Sequence, residues 1–208
     1  MERNFSRAAV GLMVGVPLAW ALLLLLHPTG DGDDFYPVVA DDTTAWLVVH
    51  VGTLVFVPLM AAAIYVLLNG LEGTAARVSR IALGFFVVFY LAFEVLVGIG
   101  VGVFVDEGVE AQVVEDFVDS TLIVAFEMIG TASLLIALTA AGIALRREAG
   151  APLAVPILLV LAAIPISWHV TPFGQFGLAL FIAAVLLAVR ARPVPDEPSA
   201  AAVRPTAA

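Results

Sequence analysis

The chain has 208 residues, of which 62% are hydrophobic and 13% charged, with a formal net charge of −9. So apolar a composition, with runs that pass the roughly 18 residues of a membrane helix several times, places the chain in a lipid bilayer as a helix bundle. The absence of cysteine excludes disulfides, thiolate metal sites and thiol catalysis, the absence of lysine excludes Schiff-base chemistry, and the acidic balance argues against nucleic acid as a partner.

Residues 1–7 form a short tail carrying Arg3 and Arg7, and residues 8–26 are the first predicted span, with Pro17 inside it. HPTGDGDD follows that run in place of a small-residue cleavage site, so the run reads as an uncleaved span and not as a signal peptide. Gly11 and Gly15 make a GxxxG pair, a packing signal of low specificity because glycine is common in such helices. Residues 27–43 form a loop with five aspartates. Its DGDD run lacks the ligand spacing and distal glutamate of a calcium loop and reads as solvated acidic sequence.

The second predicted span, 44–68, contains Trp46, His50 and Pro58, and a linker with Arg77 and Arg80 leads into the third, 81–105. This third span carries one charge, Glu94, near its middle. Tyr90, Glu94, Gly98 and Gly102 recur at intervals of four and fall on one helical stripe, a face suited to other helices and not to lipid. The run GIGVG at 98–102 lies inside apolar sequence and reads as helix packing, not as a dinucleotide loop.

In residues 106–120, Val109, Val113 and Phe117 recur at helical spacing within acidic sequence. That pattern predicts a short interfacial helix or an extension of the fourth span, 121–145. Spans five and six, 152–170 and 173–189, are joined by a tight turn, and the Pro- and Ala-rich residues 193–208 are predicted to form a disordered cytoplasmic tail. The expected architecture is all-α: a single six-span transmembrane domain over residues 1–192 of a multi-pass protein of the cell membrane.

Charge fixes the expected topology. With six spans, the termini and the 69–80 and 146–151 loops share one side, and that side carries all nine arginines. The opposite loops carry none, together with eleven acidic residues. Both termini are therefore expected in the cytoplasm. His50 then lies roughly 9 Å below the outer end of its span, Glu127 at similar depth, and Glu94 on the order of 16 Å deep. His27 and His169 fall at the headgroup level, where a solvated histidine is the ordinary expectation.

A carboxyl at the bilayer centre costs about 2.5 to 3.5 kcal/mol on the insertion scale, so Glu94 needs a reason to stay. The leading expectation is a proton- or cation-linked carrier with an outer-leaflet pocket of Glu94, Glu127 and His50. The polar residues also permit a divalent metal held by His50, Glu127 and His169, or a b-type haem with His50 and His169 as axial ligands. The bland alternative is a structural or accessory subunit, in which Glu94 and Glu127 only hydrogen-bond neighbouring helices, within a homo-oligomer or beside another membrane protein. No GxSxG, HExxH or Walker-type motif is present, so soluble-enzyme chemistry is unsupported.

The pair His27–Pro28 closing span one, Trp46-x-x-x-His50 opening span two, and the short inner loop ending at Arg77 and Arg80 carry a resemblance. With these features the chain resembles six-helix integral membrane proteins of prokaryotes whose activity is uncharacterised. The resemblance implies a fold and no particular chemistry.

Overall fold

The computed structural model of the protein describes residues 5–30 and 34–190. The predicted tail at 193–208 and most of the DGDD run lie outside them. All regular structure among the described residues is helical. Helix α1 (Arg7–Leu23) is capped by the Ser6 hydroxyl, which accepts from the Ala9 N–H at 3.1 Å, and it tightens into a 3₁₀ turn over Leu24–Leu26. A short α2 (Phe35–Asp41) leads to α3 (Thr43–Leu67), where the Asp42 carboxylate caps the Ala45 N–H at 2.9 Å. Next come α4 (Thr74–Asp106), the short α5 (Ala111–Val118), α6 (Thr121–Glu148), α7 (Ala154–Trp168) and α8 (Phe173–Arg190).

Five of these, α1 with its 3₁₀ turn, α3, α4, α6 and α8, are long and apolar enough to cross a membrane. The predicted fifth span differs. Helix α7 has 15 residues, about 22 Å at 1.5 Å per residue, and stops short of the roughly 30 Å of a hydrocarbon core.

The six long elements close into a ring: α1 packs on α3, α3 on α4, α4 on α6, α6 on α7, α7 on α8, and α8 back on α1. Their inward faces bury Met13, Trp20, Val57, Met60, Phe86, Leu134, Leu138 and Phe181. Their outward faces are apolar as well, with Leu22, Val55, Ile81, Val88, Met128 and Leu161 exposed. Helices that are apolar all round and still present such residues outside are built for a lipid surround. The GxxxG pair belongs to this outer face: a Cβ at Gly11 or Gly15 would meet nothing within 4 Å.

The two ends of the ring are finished differently. At the arginine-bearing end, the Arg80 guanidinium donates to the Leu68 and Leu71 carbonyls at 2.9 and 2.8 Å, closing the C-terminus of α3. The Glu148 carboxylate accepts from the Glu72 and Gly73 N–H groups at 3.0 and 2.9 Å, tying α6 to the start of α4. At the other end α2 and α5 form a cap, joined where the Tyr36 N–H donates to the Glu115 carboxylate at 2.7 Å. Val39, Val114 and Val118 seat this cap on Trp46, Val97 and Val101. The segment after α4 is thus a separate short helix, not an extension of α6. Its buried face is set by Val114 and Val118, while Val113, expected on that face, is 52% exposed.

Trp20 anchors the upper core. It is fully buried, stacks on Phe56 at 6.4 Å and donates its indole N–H to the Thr53 hydroxyl at 3.3 Å. Trp20→Ala is expected to destabilise the protein by about 3 to 5 kcal/mol, read as a fall in thermal unfolding midpoint in detergent.

Candidate functional site

The capped end of the ring gathers the ionisable residues. His27 follows the 3₁₀ turn of α1, His50 lies two turns into α3, Glu94 begins an altered stretch of α4, and His169 follows α7. All four are buried, Glu94 completely.

Local sequence explains each placement. The ring of His50 needs space beside α4, and Gly98 provides it: a Cβ there would come 2.3 Å from His50 Cδ2. Residues Glu94–Val101 are wound as a π-helix, a local widening common at functional sites, and the Trp46 indole donates to the Gly98 carbonyl at 2.5 Å within it. Tyr90, Glu94, Gly98 and Gly102 are all buried, so the predicted stripe does face the interior. His169 takes a left-handed backbone (φ 29°) at the end of α7, a conformation uncommon for a residue with a Cβ. Gly174 makes room for that turn, since a Cβ there would sit 2.8 Å from His169 Cα.

The hydrogen bonds assign the ring nitrogens. His27 Nδ1 lies 2.7 Å from the Pro28 carbonyl and His50 Nδ1 lies 2.8 Å from the Trp46 carbonyl. A carbonyl only accepts, so both Nδ1 atoms carry hydrogen and both Nε2 atoms are bare in the neutral rings. For His169 the partner is the Tyr90 hydroxyl, 2.7 Å from Nδ1 and itself 2.5 Å from the Ser167 carbonyl. The single Tyr90 proton must lie on the short contact to Ser167, because two oxygens without a proton between them repel. The Tyr90 oxygen therefore accepts from His169 Nδ1, and His169 Nε2 is bare too.

Two bare nitrogens meet and the third ring lies beside them. His50 Nε2 and His169 Nε2 are 3.4 Å apart, and one nitrogen from each of the three rings lies within 4.8 Å of the others. Beside them, Glu94 Oε1 is 3.5 Å from His169 Nε2, and neither Glu94 oxygen has a hydrogen-bond partner. Bare nitrogens facing one another next to a buried, unpartnered carboxyl are repulsive and costly unless a cation joins them. Burial holds His27 below the ordinary histidine range, only partly offset by its bond to Pro28. A neutral imidazole is the form that ligates metals.

A cavity of about 710 Å³ lies on the other side of the three histidines. Glu127 is half-buried on its wall. Of the residues singled out from sequence, the fold brings His50, His169 and Glu94 together and sets Glu127 apart on the cavity wall.

Two expectations are corrected. His27 and His169 are not solvated at the surface; they are 7% and 6% exposed. Nor are His50 and His169 separated by the two turns that counting residues from span ends implies. Helix α7 is short, so residue 169 lies within the bundle and not at its rim. His27 is the ligand candidate that sequence reasoning set aside, and Tyr90 the unrecognised orienting group. The available signal was that all three histidines of the chain fall in the outer halves or at the outer ends of the predicted spans.

Gly98→Ala is expected to push His50 aside and lower stability by about 1 to 3 kcal/mol, whereas Gly11→Ala, open to the exterior, leaves the unfolding midpoint within a degree or so. Comparison of the chain with models of protein families, with curated proteins and with solved structures found no match.

Proposed function

We propose that this is a six-span membrane protein that binds one transition-metal dication, of the zinc class, through His27, His50 and His169, with Glu94 as the anionic fourth ligand. The observation that carries the reading is the arrangement of the rings: each Nδ1–H is committed to an oxygen, the bare Nε2 atoms of His50 and His169 face each other at 3.4 Å, and a nitrogen of His27 lies within 4.8 Å of the other two rings' ligand atoms. Ligating histidines are held in this way by an acceptor behind the ring. The spacing fits as well. Two nitrogens each about 2.0 to 2.1 Å from a tetrahedral ion are about 3.3 to 3.4 Å apart, and the His50–His169 separation is 3.4 Å. Imidazole with carboxylate suits zinc, copper, iron or nickel better than calcium or magnesium.

This reading is favoured over the other two ligand chemistries. A bis-histidine haem needs its macrocycle between two opposed rings, but His50 and His169 meet too closely for that, and His27 stands 5.3 and 5.6 Å from them, centroid to centroid. A proton or cation carrier needs a polar path toward the arginine-bearing end. Below Glu94 the ring interior is filled by residues such as Phe86, Leu134 and Leu138, and the buried Ser79 and Thr53 are satisfied by the Ala137 carbonyl and the Trp20 indole.

The membrane placement follows the charges. We place α7 as the sixth span, its remaining thickness completed by residues 169–172, with both termini cytoplasmic and the metal centre near the extracytoplasmic face. Cysteine introduced at position 30 is then expected to react with an impermeant maleimide on intact cells, and cysteine at 147 only after lysis; the reverse pattern rejects this orientation.

Elemental analysis of the purified full-length protein is expected to find one zinc-class ion per chain. His50→Ala and His27→Ala should each reduce that content at least tenfold, as should Glu94→Gln, whose neutral amide lacks the anionic charge. A wild-type protein that holds no stoichiometric metal after dialysis against zinc rejects the centre.

A further inference from the structure

We infer that the cavity beside the three histidines is a hydrolytic active site for a neutral acyl ester of an amphiphile drawn from the outer leaflet, with Glu127 as general base. The inference rests on the metal reading above and adds to it a reaction and a substrate class.

The first observation is that the three histidines open on one cavity. His27, His50 and His169 all line the cavity, whereas Glu94 does not and lies behind them. Structural zinc sites are closed by their protein ligands, while catalytic ones keep a position for water and expand to five ligands when needed. With Glu94 as the fourth ligand, water would add as a fifth, and the histidine face on which it would add opens on a space of about 710 Å³, within the range of small-molecule sites.

The second observation is the character of the walls. Phe35, Val38, Phe93 and Val97 line the cavity, and Trp168 and Phe173 stand at its rim, 53% and 50% exposed and in edge-to-face contact. The lining thus combines the histidines with apolar walls and with exposed aromatics of the kind found at a bilayer surface. An amphiphile fits this profile, its polar carbonyl at the centre and its chain along the walls.

The third observation is the sign of the charges. Among the described residues no arginine lines the cavity and the carboxyl groups lining it are those of Asp34 and Glu127, and the chain has no lysine. A phosphate or carboxylate substrate would meet repulsion and no guanidinium fork, so the reacting group is a neutral carbonyl.

The step balances without a redox partner. A water on the dication, made more acidic by it, gives a proton to the Glu127 carboxylate. Its oxygen forms a bond to the acyl carbon, and the bond from that carbon to the alkoxy oxygen breaks. Glu127 returns the proton to the leaving oxygen, so one water is consumed and an acid and an alcohol are released. Glu127 is assigned this role because it is half-buried on the wall, whereas Asp34 is exposed at the mouth.

The test uses the full-length protein in detergent micelles, loaded with one equivalent of zinc, and follows release of p-nitrophenolate from p-nitrophenyl laurate and p-nitrophenyl acetate. The laurate is expected to be turned over with kcat/KM at least tenfold above the acetate. Glu127→Gln is expected to keep its zinc and its unfolding midpoint while losing about 100-fold or more in kcat. Zinc-loaded protein no faster than free zinc in the same micelles overturns the hydrolytic inference and leaves the metal centre standing. Equal kcat/KM on the two esters overturns the amphiphile assignment, and wild-type kcat in Glu127→Gln overturns the role of that residue. Protein that binds no zinc overturns the centre and this inference together.

Discussion

Three buried imidazoles drawn together, two of them with their bare nitrogens 3.4 Å apart, form the constraint on which the upper half of this molecule depends. Each ring is fixed by a donor bond from Nδ1: to the Pro28 carbonyl, to the Trp46 carbonyl, and to the Tyr90 oxygen. Tyr90 is itself held by the Ser167 carbonyl. These acceptors leave the rings no choice of tautomer, and the side chains of all three are buried. Glu94 adds a carboxyl whose Oε1 stands 3.5 Å from His169 Nε2, with no hydrogen bond of full geometry at either oxygen. Electrostatic tension of this kind inside an apolar bundle is resolved by positive charge, and the three-plus-one donor set is one that a transition-metal dication satisfies.

The rest of the ring can be understood as the scaffold for that cluster. Gly98 thins one face of α4 where the His50 ring lies against it, and the π-wound stretch places the Gly98 carbonyl where the Trp46 indole can reach it. The shortness of α7 lets the chain turn back inside the bundle, and the left-handed backbone at His169 aims its ring inward. Helices α2 and α5 then seat over Trp46, Val97 and Val101, so the cluster is covered from above except through the cavity. Among the described residues, nothing comparable is built at the opposite end. Arginines and Glu148 bond to loop carbonyls and amides there, and the interior between is close-packed and apolar.

How much of this was legible in the sequence depends on the range of the interaction. Helix type and approximate extent follow from local composition: α1, α3, α4, α6 and α8 appear where apolar runs of membrane length occur. The inward stripe of Tyr90, Glu94, Gly98 and Gly102 follows from helical spacing, which survives the π-wound stretch well enough to keep all four buried. The amphipathic segment before α6 was legible as a helix but not in its facing. Val113 looks outward and Val114 inward because packing against α2, a contact between distant residues, sets the rotation.

The sequence by itself determined an all-helical chain, an arginine-rich end and an acidic end, and an interior carboxyl that had to have a reason to be there. Those are properties of single helices and their flanks, and hydrocarbon length and charge asymmetry are enough to read them. Only the tertiary structure decided that His27, His50 and His169 meet, that Glu94 stands behind them, and that Glu127 faces the cavity instead. Depth counted along separate helices assumes that all of them begin and end in common planes. Here α7 is short and α4 is wound differently in its upper half, so side chains apart by that count converge in space.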